Sequence, residues 1–261
     1  MHFGITGGRG TLGKIAQAQL LTAGHRVSLF AGDVCSTNQL KAWLQETQPE
    51  AIIHFAAVVP TQVVQAQPVR AFQVNVGGTA NLVAALQACA LRPWLFYASS
   101  SHVYQSQARP IRETDPIAPV TVYGLTKRMG EQVVEASAPA ANLKFCIGRI
   151  FSFFHPSQTG SFLYPTLMKR LSTEDLAQPF LLSGADDVRD LSPAEDIVSQ
   201  IIALAQCQAE GIYNLGSGQG TRIADFVQAL TPQPLQIKNA TATPSTSLVA
   251  DISKLKARLS R

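Results

Sequence analysis

The chain opens with an apolar run, HFGIT, that passes straight into glycines at positions 7, 10 and 13 and from there into TLGKIAQAQLLTAG. No other feature constrains the fold as much. A strand that turns at once into a helix needs a loop with little side-chain bulk, and glycine at these steps lets the backbone close up. The same spacing turns the first N–H groups of the helix, and the positive end of its dipole, towards whatever lies over the loop. A pyrophosphate fits that description. Gly7, Gly10 and Gly13, with Arg9, Thr11 and Leu12 between them, are therefore expected to cradle a dinucleotide. A tight turn without a ligand is the competing reading, and the position between strand and helix weighs against it.

Beyond the loop the chain keeps alternating. HRVSLF reads as a second strand, and Ser36 with Gln39 forms a capping box that opens a helix over STNQLKAWLQET. AIIHFAA is a continuous apolar run of the kind buried on both faces of a parallel sheet. A long helix follows through PVRAFQVNVGGTANLVAALQACA, then a strand WLFYASSS, a helix starting near Tyr123 and a strand LKFCIGRI. This alternation predicts an α/β fold, a Rossmann-type doubly wound parallel sheet. From Phe153 the rhythm breaks into shorter pieces among Pro, Gly and Ser. Residues 1–152 are thus expected to form the dinucleotide-binding domain, and 153–261 mainly a small substrate lobe interleaved with it.

Composition narrows the function classes. Of the 261 residues 46% are hydrophobic and 15% charged, which supports a sizeable core and argues against disorder. The net charge of +4 is scattered, densest at Lys127–Arg128 and at Lys254, Lys256 and Arg258. Such groups read as solvated helix faces, so no nucleic-acid partner is expected. The four cysteines lie far apart with no metal-type spacing, so no metal is expected and a reduced, cytoplasmic setting is. There is no basic leader ahead of a long apolar region and no run of 18 or more apolar residues, so neither secretion nor membrane spanning is expected.

Tyr123 and Lys127 stand one helical turn apart and share a face. An ammonium close to a phenol favours the phenolate and brings the tyrosine towards a pKa useful near neutrality. Such a tyrosine can give a proton to a carbonyl oxygen, or take one from an alcohol, while hydride moves to or from a nicotinamide. A surface pair at this spacing is the alternative, and the place at the start of a helix, after a serine-ended strand, argues for chemistry. The hydroxyl partner belongs at the carboxyl end of WLFYASSS, where open α/β sheets bind ligands. Three serines compete there.

Taken in order, these motifs resemble the extended branch of the short-chain dehydrogenase/reductase superfamily, the NAD-dependent epimerase/dehydratase family of nucleotide-sugar enzymes. TGGRGTLG, HFAA at 54–57, NVGGTANLVAA from Asn75, SSSHVY, YGLTK, VRDLSPAEDIV and IYNLGSG carry the likeness along nearly the whole chain. The resemblance selects Ser100, three positions before Val103, as the third catalytic residue beside Tyr123 and Lys127. It leaves Ser99 structural and puts Ser101 in the substrate pocket. It also implies cofactor contacts from Tyr123 and Lys127, from Asp33 and Val34 at the adenine, and from Ala56, Ala57 and Asn75. Arg189 would grip the diphosphate of a sugar nucleotide. His102 falls where some relatives carry an extra acid/base or substrate-shaping residue; the other reading is that it only packs in the pocket. His155 sits one residue off a similar position and reads as structural, and His54 reads as a strut behind the cofactor.

Departures from the family pattern refine the expectation. Ser101 and His102 stand where 4,6-dehydratases carry an Asp-Glu pair, so dehydration lacks its acid and base. Phe30 replaces the acid that receives the ribose hydroxyls of NAD, and Arg9 stands where NADPH-using reductases place a base for the 2′-phosphate. NADP(H) is favoured, with NAD(H) the alternative. Ser152 replaces an asparagine that commonly contacts substrate. The expected activity is reduction of a 4-keto (6-deoxy) sugar nucleotide with Tyr123 as acid/base. A nucleotide-sugar 4-epimerase with retained NAD is the runner-up, and a non-catalytic NAD(P)-sensing protein the minor alternative. The resemblance further implies a homodimer.

Overall fold

The N-terminal half alternates because its strands are too apolar to expose and each is returned by a helix. In the computed structural model, which describes residues 1–59, 61–240 and 242–260, β1 (His2–Thr6), β2 (Arg26–Phe30), β3 (Ala51–His54), β4 (Trp94–Ser100) and β5 (Phe145–Ile150) are the strands of this half. They are connected by α1 (Thr11–Thr22), α2 (Thr37–Thr47), α3 (Thr61–Ala66), α4 (Pro68–Phe72), α5 (Gly78–Ala88) and α6 (Val122–Ala140). The C-terminal part contributes β6 (Ser152–Phe154), α7 (Leu163–Thr173), β7 (Phe180–Leu182), β8 (Val188–Pro193), α8 (Ala194–Gln206) and β9 (Gly211–Leu215). It ends with β10 (Gly220–Arg222), α9 (Ile223–Ala229), β11 (Ile237–Asn239), β12 (Ser247–Leu248) and α10 (Ser253–Leu259).

The main sheet has the order β2-β1-β3-β4-β5-β9, parallel throughout. Its order reverses around β1, which opens a crevice at the carboxyl ends of β1 and β3, the place where such sheets take ligands. Two apolar layers cover it. On one side Ala16 and Leu20 of α1 and Ile197, Ile201 and Leu204 of α8 pack on Phe3, Ile5 and Phe96. On the other, Leu40 and Leu44 of α2, Leu82 and Leu86 of α5 and Val134 of α6 pack on Ile52, Leu95 and Ile147. Each such buried side chain contributes about 1.5–3 kcal/mol of transfer free energy.

The sixth strand comes from beyond the first 152 residues, since β9 pairs with β5. The small lobe is organised on β8, which takes β10 antiparallel and β12 and β6 parallel. A separate pair, β7 with β11, closes over its own core of Leu167, Phe180, Phe226 and Val227.

Three local expectations are modified. β3 stops at His54, so Phe55, Ala56 and Ala57 leave the sheet and face the crevice. The long helix is interrupted by one π-helical turn over Gln73–Gly77, the kind of extra-residue bulge that redirects side chains near sites. At α2, Ser36 Oγ accepts from Gln39 N (3.4 Å), but the Gln39 side chain accepts from Asp33 N (2.9 Å) instead of closing the box. The glutamine thereby ties the helix to the loop that precedes it.

No helix among the described residues is long and apolar enough to cross a membrane.

Candidate active site

The glycine loop has the shape of a phosphate cradle. Gly7 has φ +72, and a Cβ there would stand 2.6 Å from Ala56 N. At Gly13 a Cβ would run into the Gly7 carbonyl oxygen. The loop therefore has to be bare for α1 to start where it does. The cap position of α1 is Gly10, with no side-chain cap and no acidic residue in the first turn. The helix N-terminus is thus left without a cap side chain or a first-turn carboxylate, which is the arrangement that receives an anion. Gly7, Arg9, Gly10, Thr11, Leu12 and Gly13 line a cleft of about 670 Å³. Ala56 and Ala57 form its opposite lip. These residues fit a dinucleotide pyrophosphate.

A second recess of about 410 Å³ adjoins the loop and is lined by Arg9, Phe30, Asp33, Val34 and Arg70, among others. Asp33 accepts from Cys35 N (2.9 Å), which holds its carboxyl below the usual range, with the Arg70 guanidinium at 3.7 Å adding to the effect. Arg70 has no counterpart among the sequence expectations. It lies far along the chain, on α4, and only the crossover brings it over the recess.

The catalytic corner is assembled by two elements that meet closely. β4 ends at Ser100, whose Oγ accepts from His102 N (3.2 Å) and turns the chain into a short 3-10 segment. α6 starts behind it, capped by Thr121 Oγ1, which accepts from Gly124 N (3.0 Å). Gly124 lies against the His102 carbonyl with no room for a Cβ, so the first turn of α6 presses on the β4 terminus. That contact brings Tyr123, Lys127, Ser100, Ser101 and His102 onto one wall of the cleft. Lys127 Nζ donates to Ala98 O (2.8 Å). The His102 and Tyr123 rings meet edge to face, 5.5 Å between centroids.

The electrostatics differ from the simple ammonium–phenol expectation. Burial pushes the Tyr123 phenol up to about 12, and only the Ser100 hydroxyl pulls it the other way. Burial draws Lys127 down to about 8, against the charge of Glu131. His102 is lowered, first by burial and then by Arg189, both of which favour the neutral imidazole. Desolvation outweighs the neighbouring charge because these groups are nearly sealed from water.

Two expected contacts are placed differently. Asn75 is buried off the cleft. Its side chain accepts from Val58 N (2.7 Å) and donates to Val58 O (3.0 Å) and Thr126 Oγ1 (3.0 Å), so it braces the lip against α6. Arg189 also does not line the cleft. Its Nη1 donates to Val188 O and Thr246 O, and its Nη2 to Asp187 and Thr246 Oγ1. Both side chains are tied up because sequence-distant partners, Thr126 and Thr246, arrive beside them. His54 bridges Thr6 Oγ1 (2.6 Å) and Thr79 Oγ1 (3.2 Å) behind the cradle. His155 pairs with Glu195 at 3.0 Å.

The far half of the cleft is walled by Phe153, Phe154, Phe162, Tyr164 and Phe226, with Ser152 and Gln158 among its polar groups. The sequence reading passed over most of these aromatics. For Phe153 and Phe154 the signal is the run FSFF at 151–154, but the pattern of a short β6 does not tell which side meets a ligand.

The chain is similar to known proteins in sequence and in fold. The model of the NAD dependent epimerase/dehydratase family matches residues 4–216. The chain is 27% identical over 257 residues to a UDP-glucose 4-epimerase of Lactobacillus helveticus, covering 83% of this chain and 76% of that protein. It is 28% identical over 242 residues to the GDP-6-deoxy-D-mannose reductase of Pseudomonas aeruginosa, covering 87% and 78%. Among solved structures it is similar to RMD from Pseudomonas aeruginosa complexed with NADPH, with a TM-score of 0.88 and 24% identity over 99% of this chain and 92% of that one.

Proposed function

Because the chain belongs to the NAD dependent epimerase/dehydratase family, we propose that it uses NADPH to reduce the keto group of a nucleotide sugar, a 4-keto (6-deoxy) sugar, with Tyr123 as proton donor. The observation that carries this reading is the placement of Tyr123 and Ser100 on the cleft wall between the glycine cradle and the aromatic pocket, with the phenol carrying its proton at neutral pH as an ordinary tyrosine does. A group that arrives with its proton is equipped for the reductive direction. A nicotinamide dinucleotide held by the glycine cradle would supply the hydride for this reduction. Ser100 holds the carbonyl oxygen beside Tyr123, and the phenolic proton passes to that oxygen. The Lys127 ammonium, one turn along α6, stabilises the phenolate left behind. Phe30 at the end of β2 and the guanidiniums of Arg9 and Arg70 at the second recess support NADPH over NADH.

A second reading, 4-epimerisation with retained NAD, is supported by the likeness to the Lactobacillus enzyme. The experiment follows reduced-nicotinamide absorbance on adding GDP- and dTDP-4-keto-6-deoxyhexoses, with NADPH and NADH tested separately. Stoichiometric loss with NADPH supports the reductase. No loss in protein that binds cofactor normally overturns it for those sugars, and interconversion of UDP-hexoses without net cofactor turnover supports the epimerase.

A further inference from the structure

Lys127 is only 3% exposed, and an amine so placed tends to lose its proton. A neutral Lys127 could not stabilise the Tyr123 phenolate. Three neighbours oppose that loss. The Ala98 carbonyl accepts from Nζ at 2.8 Å. The face of the Tyr97 ring lies 5.2 Å from Nζ, within the range of a cation–π contact. Glu131, one turn further along α6, acts on Lys127 with its negative charge.

Both Tyr97 and Glu131 are fixed with unusual care for groups outside the cleft chemistry. Residue 130 is glycine, and a Cβ there would collide with Tyr97 Oη. Tyr97 Oη also donates to Lys127 O (3.3 Å). Glu131 is wholly buried, with every contact assigned. Its Oε1 accepts from Ser99 Oγ (2.5 Å) and Arg149 Nε (2.9 Å), and its Oε2 from Arg149 Nη2 (2.9 Å) and Arg128 Nη1 (2.9 Å). Tyr123 stands one turn before Lys127 on the same helix, and His54 from β3, which feels the Lys127 charge, is driven down to about 3 chiefly by burial and so is neutral.

We infer that Tyr97 and Glu131 are positioning residues that keep Lys127 in its ammonium form, Tyr97 through its ring face and Glu131 through a carboxylate anchored by Arg149, Arg128 and Ser99. The inference rests on the proposed roles of Tyr123 and Lys127, and its test reads the lysine directly. Titration of ε-15N-labelled lysine by NMR, with the Lys127 signal assigned from a Lys127→Met variant, is run on the wild type, Tyr97→Leu, Tyr97→Phe and Glu131→Gln. In Tyr97→Leu and Glu131→Gln the Lys127 signal should titrate about one pH unit or more lower, while Tyr97→Phe, which keeps the ring, should follow the wild type. The alkaline limb of carbonyl reduction should move with it, lowering the rate at pH 8 by about fivefold or more and leaving the rate at pH 6 within about twofold.

Folded Tyr97→Leu protein with an unmoved Lys127 titration overturns the role of the ring. The same result in folded Glu131→Gln overturns that of the carboxylate. If Glu131→Gln does not fold, the Tyr97 pair still decides whether Lys127 is held by its surroundings. If the lysine shifts as expected but no keto sugar is reduced, the reductase reading fails and the holder stands.

Discussion

In the proposed reaction Tyr123 is the proton donor, and its burial defines what removing the hydroxyl does. Tyr123→Phe keeps the ring against His102 and removes only the proton donor. Turnover should fall by roughly 10²–10⁴, the usual worth of a positioned acid. Cofactor affinity, followed by quenching of protein fluorescence, should stay within about threefold, because the cradle is built by other residues. His54 gives a second prediction, in stability. Burial holds it down to about 3, against an ordinary 6.5. Below pH 6.5 the unfolded chain takes up a proton that the folded chain refuses, so stability is lost as pH falls from 6.5 towards 3. The slope approaches about 1.4 kcal/mol per pH unit from this residue alone. Chemical denaturation of His54→Gln across that window should give a shallower decline than the wild type.

At the scale of elements, the junction of β1 and α1 and the junction of β4 and α6 do the positioning. Both depend on a glycine that admits backbone where a side chain would stand. Gly13→Ala places a methyl group against the Gly7 carbonyl, which cannot move without opening the cradle. We expect a loss of about 1–3 kcal/mol in stability and at least a tenfold weaker Kd for NADPH by calorimetry. Gly24→Ala is the control. It has φ +77 at the far end of α1 and nothing within 4 Å of its Cβ position. It should cost about 1 kcal/mol of backbone strain and leave the Kd unchanged.

Across the whole molecule, the buried carboxylate of Asp190 stitches the C-terminal lobe to itself and to the sheet. Asp190 on β8 accepts from Ser217 N (2.8 Å), Ser217 Oγ (2.7 Å), Gly218 N (2.9 Å) and Ala250 N (3.2 Å). One side chain thus joins β8, the turn after β9 and the segment leading to α10. Asp190→Asn puts an amide donor among donors. Hydrogen bonds to charged groups are worth about 1.5–3 kcal/mol each. A net loss of about 3 kcal/mol is expected, at roughly 2–4 °C of Tm per kcal/mol by calorimetry. The cradle lies on the other half of the fold, so cofactor affinity in the folded variant should persist.

Local chemistry made much of this protein readable from its sequence. The strand–glycine–helix junction, the alternation of apolar runs, and Tyr123 with Lys127 one turn apart are short-range patterns, and short-range patterns are set by backbone sterics and helical spacing. The choice among Ser99, Ser100 and Ser101 rests on the resemblance to the family, because local pattern alone leaves the three serines equivalent. Tertiary structure alone decided the rest. Whether Asn75 and Arg189 meet a ligand or brace the fold depends on Thr126 and Thr246, which lie 51 and 57 residues away in sequence. Arg70 reaches the second recess only through the crossover, and the aromatic wall draws together residues from β6, α7 and α9. The sign of the Tyr123 shift was decided in the same way. A sequence shows which charge is near a phenol, but how far water is excluded is a property of the packed molecule, and here exclusion is the larger effect.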